Sequence, residues 1–288
     1  MEIKKGTEDQ GWALVDKLDE FNRVMNPHSG AGTDLSIAYV VKQGDKVVGG
    51  IEASSDDHAV GYVEMLWIDE AYRRKGLGFV LLTTVERELQ NAGCQRLRLE
   101  TFDYQAPAFY RANGYHDFAK LNYDHANLTE YFFVKELQRP ITGELVPDFS
   151  IDQADDQSIA TVEDQFQAYN LSKKPLLQDE PAVTFTFLAE EDGQCIGGIF
   201  GYSSMYLIGY MESLWVAEEY RHKGIGTELV NALVKALRDF GCPSVHLDTM
   251  SYQAPEFYQS LGFKHFGKLT HPEIGASEMF FVKHLEVS

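Results

Sequence analysis

The segment that decides the fold runs from an apolar stretch into a glycine turn, and it reads Leu66-Trp67-Ile68-Asp69-Glu70-Ala71-Tyr72-Arg73-Arg74-Lys75-Gly76-Leu77-Gly78. The same pattern returns 148 positions later (214 − 66), as Leu214-Trp215-Val216-Ala217-Glu218-Glu219-Tyr220-Arg221-His222-Lys223-Gly224-Ile225-Gly226. Each copy predicts a strand, a basic turn and a helix with a regular apolar stripe. A helix start leaves main-chain N–H groups without intrahelical partners, and the helix dipole is positive there. Both segments therefore predict a diphosphate site.

The two segments belong to a longer internal repeat. With residues 49–137 aligned on 197–285 without a gap, 37 of 89 positions are identical. The N-terminal thirds match less well, although Asn22 still falls on Asn170. Each copy is too long to be a solenoid unit. We therefore predict a duplicated domain, with an N-terminal domain over 1–140, a linker over 141–148 and a C-terminal domain over 149–288.

Composition limits the class of protein. A chain of 288 residues fits two domains, and its 25 basic and 44 acidic residues give a net charge of −19. This charge argues against a nucleic-acid partner. Three cysteines without a Cys/His cluster argue against a disulfide framework and a metal site, and they favour a reducing compartment. We find no apolar run long enough for a membrane span and no signal-peptide core, so we expect a cytoplasmic protein.

The order of predicted elements indicates a mixed α/β domain in each copy. Helices are expected first, at 8–24 and 154–170, with Trp12, Val15, Leu18 and Phe21 on one face of the former. In the first copy, strands are expected at 35–43, 46–55, 60–68, 96–101, 115–121 and 130–137, and helices at 76–91 and 105–112. In the second copy, the hairpin is expected at 183–190 and 194–202. The 60–68 strand is apolar on both faces, which predicts a central place in the sheet.

The chain resembles the GNAT family of N-acetyltransferases. The resemblance lies in Arg-x-x-Gly-x-Gly after the Leu-Trp-Ile strand and in the run Leu99–Tyr115, where a tyrosine precedes a glycine-aromatic pair by four residues. The run Leu247–Phe263 matches it closely. The resemblance implies two tandem GNAT-like domains, each a mixed, centrally splayed β-sheet flanked by helices. It also implies transfer of the acetyl group of acetyl-CoA to a primary amine of a small molecule or peptide by direct attack.

The resemblance further implies which residues contact acetyl-CoA. The turn amides are expected to hold its diphosphate, and the main chain of the preceding strand is expected to pair with its pantetheine arm like an added strand. The cofactor-binding residues in the first copy are then Leu66, Trp67, Ile68, Arg73, Arg74, Lys75, Gly76, Leu77, Gly78 and Phe79. Those in the second copy are Leu214, Trp215, Val216, Arg221, His222, Lys223, Gly224, Ile225, Gly226 and Thr227.

Two residues in each copy are candidates for proton transfer. An attacking amine must be uncharged, and an alkylammonium group has a pKa of about 10, so a group must accept its proton. Glu64 and Glu212 stand inside otherwise apolar strands, where a buried carboxylate is costly without a partner or a task. Each is interpreted as a base, as an anchor for the substrate ammonium, or as a glutamate on a solvated edge. The resemblance implies that Tyr110 and Tyr258 are general acids for the departing thiolate, whereas the alternative is a packed aromatic residue.

Several alternatives stay open. The protein could be a non-catalytic acyl-CoA-binding regulatory or interaction protein, or it could combine one active domain with one scaffolding domain. A monomeric pseudo-dimer and a homodimer both fit the repeat. The acceptor amine is expected to contact 22–34 and 170–182, where the copies differ most. His58, His116 and His265 are predicted at the surface, and Cys94 and Cys242 are predicted to be small buried residues.

Overall fold

The structure is a computed structural model that describes residues 1–25, 35–55, 59–137 and 148–286. The predicted linker except Asp148, the stretch 26–34 of the predicted acceptor region, and His58 lie outside these residues. The N-terminal repeat forms β1 (Glu2–Lys5), α1 (Glu8–Met25), β2 (Leu35–Gln43), β3 (Lys46–Ser55), β4 (Val60–Ile68), α2 (Leu77–Asn91), β5 (Arg96–Phe102), α3 (Pro107–Ala112), β6 (His116–Tyr123) and β7 (Leu128–Glu136). The C-terminal repeat forms β8 (Ser150–Gln153), α4 (Asp156–Lys173), β9 (Ala182–Glu191), β10 (Gln194–Ser204), β11 (Ile208–Val216), α5 (Ile225–Phe240), β12 (Ser244–Met250), α6 (Pro255–Ser260), β13 (Lys264–His271) and β14 (Ala276–His284).

The two repeats exchange their first strand and helix. Strand β1 pairs with β9, and β8 pairs with β2, which gives the sheet orders β1-β9-β10-β11-β12-β14-β13 and β6-β7-β5-β4-β3-β2-β8. The described residues within Met1–Pro27, Tyr123–Asn127 and Leu176–Ser288 form one compact unit, here named the β9–β14 unit. Those within His28–Asn122 and Leu128–Pro175 form the other, the β2–β7 unit.

This partition differs from the contiguous domains over 1–140 and 149–288 predicted from the sequence. The repeat shows which segments resemble each other, but it does not show which sheet a segment joins. Helix α1 packs on β9, β10 and β11, and α4 packs on β2, β3 and β4. Each compact unit therefore contains elements from both halves of the chain.

The exchanged helices pack closely on glycines. Leu14 of α1 is 2% exposed, and a Cβ on Gly198 would lie 2.7 Å from its Cδ1. Val162 of α4 is fully buried, and a Cβ on Gly50 would lie 2.9 Å from its Cγ2. Because only glycine leaves room at these distances, Gly50 and Gly198 allow each helix to approach its sheet.

Each sheet is splayed at its centre, as predicted. Strands β4 and β5 pair in parallel only where 60–62 faces 96–98, and β11 and β12 only where 208–210 faces 244–246. Beyond these points the paired register ends. Strand β4 also contains a β-bulge, because Glu52 pairs with Met65 and Ala53 with Val63, which leaves Glu64 as the additional residue. Glu212 is the additional residue of the equivalent bulge in β11.

The other predicted elements are present, with boundaries shifted by at most a few residues, and β4 and β11 are central in their sheets. The short strands β1 and β8 were not predicted. Trp12 is 50% exposed, although its ring centroid lies 5.0 Å from that of the buried Phe200, and Gly11 and Leu14 are the buried residues of α1. Cys94 and Cys242 are buried and His116 and His265 are exposed, as predicted. No helix of the described residues has the length and apolar character to cross a bilayer.

Candidate active site

Each unit places a glycine turn between the central strand and the following helix. Gly76 and Gly224 are the N-caps of α2 and α5, with φ angles of 81° and 86°, and a glycine has no side chain that could cap the first amides of the helix. Arg74 and His222 also have positive φ angles, of 62° and 61°. This conformation costs a non-glycine residue about 1–3 kcal/mol, so the surrounding structure must enforce it. An uncapped helix start behind such a turn is suited to bind an anion.

The arginines of the turns brace them against their surroundings. Arg73 Nε donates to the Ile68 carbonyl oxygen at 2.9 Å, and the guanidinium lies 4.4 Å from the ring centroid of Tyr169 on α4. Equivalent contacts in the other unit are Arg221 Nε to the Val216 carbonyl oxygen at 2.9 Å and the Arg221 guanidinium to the Phe21 ring at 4.7 Å. Each arginine therefore ties its turn both to the strand and to the exchanged helix.

A cavity opens beside each turn. One of about 490 Å³ in the β2–β7 unit is lined by the turn, the end of β4, Tyr110, and Phe166 and Tyr169 of α4. One of about 570 Å³ in the β9–β14 unit is lined by the equivalent positions and by Leu18, Phe21 and Met25 of α1. The exchanged helix thus forms a wall of each cavity.

The structure brings together most of the predicted site residues. In the β2–β7 unit, all of them line the cavity except Lys75, which lies over the Tyr72 ring, and Glu64. In the β9–β14 unit, all of them line the cavity except Lys223, over the Tyr220 ring, and Ile225, which is buried in the core.

Sequence reasoning gave no role to an asparagine on each exchanged helix. Asn170 is 2% exposed, and its Oδ1 accepts from Gln105 Nε2 at 3.1 Å and from Tyr104 Oη at 3.3 Å. Asn22 Oδ1 accepts from Gln253 Nε2 at 2.8 Å in the other unit. These bonds join each exchanged helix to the segment that precedes the candidate acid. The coincidence of Asn22 and Asn170 in the repeat was the sequence signal for them.

The two candidate acids are tyrosines in aromatic surroundings, and Tyr258 is only half-buried. Tyr110 is 7% exposed, and its ring centroid lies 5.3 Å from that of Phe109 and 5.7 Å from that of Tyr115. Burial raises the pKa of Tyr110 above its ordinary value. Burial raises the pKa of Tyr258 in the same way, and the charge of Asp248 adds to this effect. A raised pKa keeps both hydroxyls protonated at neutral pH, which is the state a proton donor requires.

The two glutamates differ in their surroundings. Glu64 is exposed as a residue, which agrees with the solvated edge that the sequence left open beside the two catalytic interpretations. Partial desolvation of its carboxyl nevertheless raises the pKa of Glu64, while a hydrogen bond from Ser54 Oγ to Oε1 at 2.7 Å and the charge of Arg98 oppose this shift. Glu212 is half-buried and lines its cavity. No group of three or more His, Cys, Asp or Glu side chains in the described part of the chain could hold a metal ion.

Comparison with known proteins identifies the family. The family model described as "Acetyltransferase (GNAT) family" matches residues 10–115 and 147–263, which is more than half of the chain. The chain belongs to the GNAT acetyltransferase family. Both GNAT matches are continuous in sequence, whereas each cavity in the structure combines elements of the two repeats.

Individual GNAT relatives match one repeat's length of the chain. Blasticidin-S acetyltransferase from Streptomyces morookaense is 28% identical over 117 residues, which are 40% of this chain and 85% of that protein. An N-alpha-acetyltransferase from Sulfurisphaera tokodaii is 33% identical over 99 residues, which are 30% of this chain and 59% of that protein. The crystal structure of an acetyltransferase from Bacillus cereus is 28% identical, with a TM-score of 0.43, over 47% of this chain and 97% of that one.

Proposed function

We propose that this GNAT protein transfers the acetyl group of acetyl-CoA to a primary amine of a small molecule or peptide by direct attack. The observation that carries the proposal is the same in both units. An uncapped helix N-terminus, a strand edge at the splay and a tyrosine packed among aromatic rings all line a single cavity. The names of the relatives, a blasticidin-S acetyltransferase and an N-alpha-acetyltransferase, support an acceptor range of small molecules and peptides.

The residues present fit an acyl-CoA, whose thioester supplies the acetyl group when it is bound. The amides of 74–79 and 222–227 would hold its diphosphate, because helix starts and positive-φ turns attract anions. The main chain of 66–68 and 214–216 would orient the pantetheine arm, because beyond the splay these strand segments have no β5 or β12 partner in the paired register.

Proton transfer is assigned to the paired glutamates and tyrosines. Glu64 and Glu212 would accept the proton of the ammonium or anchor that ammonium at the bulge. Tyr110 and Tyr258 would donate a proton to the departing sulfur, because their raised pKa values keep the hydroxyls protonated. Two such sites in one chain predict the binding of two acetyl-CoA molecules.

A carboxylate placed in the first turn of α5 tests the diphosphate site. Thr227→Asp is expected to weaken acetyl-CoA binding at the β9–β14 site by roughly tenfold or more through charge repulsion. Thermal stability should be kept, since an acidic residue in a first turn favours the helix dipole by about 0.3–1 kcal/mol. Calorimetric titration should show two sites in the parent protein and one high-affinity site in Thr227→Asp.

Asn231→Asp is the matched control, because it adds the same charge to an exposed position of α5 one turn further on. It should leave both binding events unchanged. A parent protein that bound no acetyl-CoA would refute the proposal. Binding of acetyl-CoA without thiol release against any amine of a panel would favour the acyl-CoA-responsive regulator instead, and a stoichiometry of one would identify a scaffolding half.

A further inference from the structure

The two cavities differ in the charges beside the β-bulge. In the N-terminal repeat, Arg98 Nη1 lies 3.7 Å from Glu100 Oε1, and the guanidinium lies 5.1 Å from the Tyr62 ring centroid. The same positive charge acts on the carboxyl of Glu64, where it opposes the rise in pKa that burial causes. Glu130 adds a further negative charge near Tyr62. The protein itself thus supplies a permanent cation to this group of carboxylates.

The C-terminal repeat has His246 where the N-terminal repeat has Arg98. His246 is 6% exposed, and its ring centroid lies 4.9 Å from that of Tyr210. Burial lowers the pKa of His246 to about 3, so its imidazole is neutral at neutral pH. Burial raises the pKa of Tyr210, and the charges of Asp248 and Glu212 add to this effect; the Tyr210 hydroxyl donates to Asp248 Oδ1. The group around Tyr210 therefore contains two carboxylates, but a neutral histidine stands in place of the arginine of the group around Tyr62.

A second difference between the two repeats also favours a cationic ligand in the β9–β14 cavity. Ser213 stands where the N-terminal repeat has Met65, and it follows the bulge residue Glu212. The Ser213 residue is 3% exposed, and its Oγ has no hydrogen-bond partner among the described residues. Ser213, Glu212 and Asp248 all line the cavity of the β9–β14 unit. A buried hydroxyl without a partner is unfavourable, and a ligand donor would satisfy it.

The equivalent carboxylates of the other unit are placed differently. Neither Glu64 nor Glu100 is among the residues that line the β2–β7 cavity. In the β9–β14 cavity, the lining residues Arg221 and His222 belong to the glycine turn beyond β11, where the diphosphate is expected. The two carboxylates and the hydroxyl lie instead on β11 and β12, and this group of Glu212, Ser213 and Asp248 is named the acidic subsite.

We propose that the β9–β14 cavity takes an acceptor with a second cationic group, a diamine or polyamine, and that Glu212, Asp248 and Ser213 hold this group. The inference rests on the proposed function, since it names the acceptor class of one of its sites. In the β2–β7 unit, the equivalent carboxylates do not line the cavity and Arg98 lies beside Glu100, so this site favours a monoamine. The two halves of the chain then have different acceptors.

The test compares two amines of equal length in chains whose coenzyme binding is confined to one site. In the Phe79→Asp chain only the β9–β14 site should bind acetyl-CoA, and in the Thr227→Asp chain only the β2–β7 site should bind it. Calorimetry verifies each chain by a stoichiometry of one acetyl-CoA. The measured quantity is kcat/KM for 1,4-diaminobutane divided by kcat/KM for 1-aminobutane. We expect this ratio to be at least about tenfold higher in the Phe79→Asp chain, because an added pair of opposite charges at 4–6 Å is worth that much near a protein surface.

Variants of the acidic subsite, made in the Phe79→Asp chain, locate the effect. Asp248→Asn should lower the ratio roughly tenfold, since it removes one charge and keeps an acceptor for Tyr210. Ser213→Ala removes a hydroxyl that has no protein partner, so it should fold normally and raise KM for the diamine more than for the monoamine. Glu256→Gln, an equal change of charge on exposed α6, should leave the ratio unchanged.

Equal ratios in the two chains would overturn the proposal, and so would a ratio that neither Asp248→Asn nor Ser213→Ala changes. If no amine gives thiol release, the proposed acetyl transfer fails, and binding alone then decides the inference. Calorimetry of the Phe79→Asp chain with acetyl-CoA should still show tighter binding of 1,4-diaminobutane than of 1-aminobutane. Equal affinities would refute the acidic subsite.

Discussion

Replacing Leu14 by alanine is expected to disable the site of the C-terminal repeat and to leave the site of the N-terminal repeat intact, although Leu14 belongs to the N-terminal repeat. Leu14 packs with Leu188 and Phe200 in a buried cluster of the β9–β14 unit. Truncating a buried leucine costs about 2–5 kcal/mol. Helix α1 also carries Phe21 and Asn22 to the cavity and to Gln253. Loosening α1 therefore removes one wall of the cavity and the hydrogen bond between Asn22 and Gln253.

Val162→Ala in α4 is the matched change for the other unit. Val162 is fully buried in a cluster with Val40, Met65 and Trp67. Its truncation should cost less than that of Leu14, because fewer buried carbon atoms are removed, but it should act on the site of the β2–β7 unit. Hydrogen exchange should rise in β9–β11 for Leu14→Ala and in β2–β4 for Val162→Ala, and each variant should keep one acetyl-CoA site.

The contiguous domains over 1–140 and 149–288 give the opposite expectation. In that arrangement Leu14→Ala would increase the hydrogen-exchange rate of β2–β4 and would leave the C-terminal site intact. Such a result would refute the exchange of α1 and α4. Equal loosening of both units by either variant would contradict it as well.

The internal repeat explains why the sequence predicts the order of strands and helices and does not show which sheet each element joins. The order of strands and helices follows from local periodicity, which is the same whichever sheet an element joins. Leu14 and Val162 are equivalent residues, and so are Gly198 and Gly50, so either pairing of helix and sheet gives an apolar residue on a glycine. The sequence pattern therefore cannot reveal the exchange of α1 and α4, because both arrangements satisfy the same pattern.

In the candidate site, too, features that depend on local sequence could be predicted and features that depend on distant contacts could not. The glycine turn and the packed ring of Tyr110 could be predicted because their residue types are tied to local backbone and packing. The sequence alone did not decide between a buried and a solvated Glu64, because the bulge in β4 changes the alternation of its side chains. The contact of Arg73 with Tyr169 joins the two halves of the chain, so no spacing within one repeat reveals it.

Tyr110→Phe and Tyr258→Phe together are expected to lower kcat for acetyl transfer by about 10²-fold or more, the range typical of a lost general acid. No described residue hydrogen-bonds either hydroxyl, so acetyl-CoA affinity and melting temperature should change little. Each single variant should remove only the turnover of its own site. Since burial raises the pKa of both tyrosines, they stay protonated as the pH rises to their ordinary pKa of about 10. Neither tyrosine should therefore cause a decline in the parent rate below that pH.

Tyr115→Phe is the control for this loss, because it removes a neighbouring buried hydroxyl that the mechanism does not use. Tyr115 Oη donates to Glu86 Oε1 at 2.7 Å, so the change should lower stability and leave kcat unaltered. The C-terminal repeat already has Phe263 at this position, which indicates that the site tolerates a phenyl ring there. If the double variant Tyr110→Phe, Tyr258→Phe turned over like the parent while Tyr115→Phe lost activity, the two tyrosines would be packed aromatic residues and the sulfur would take its proton from another donor.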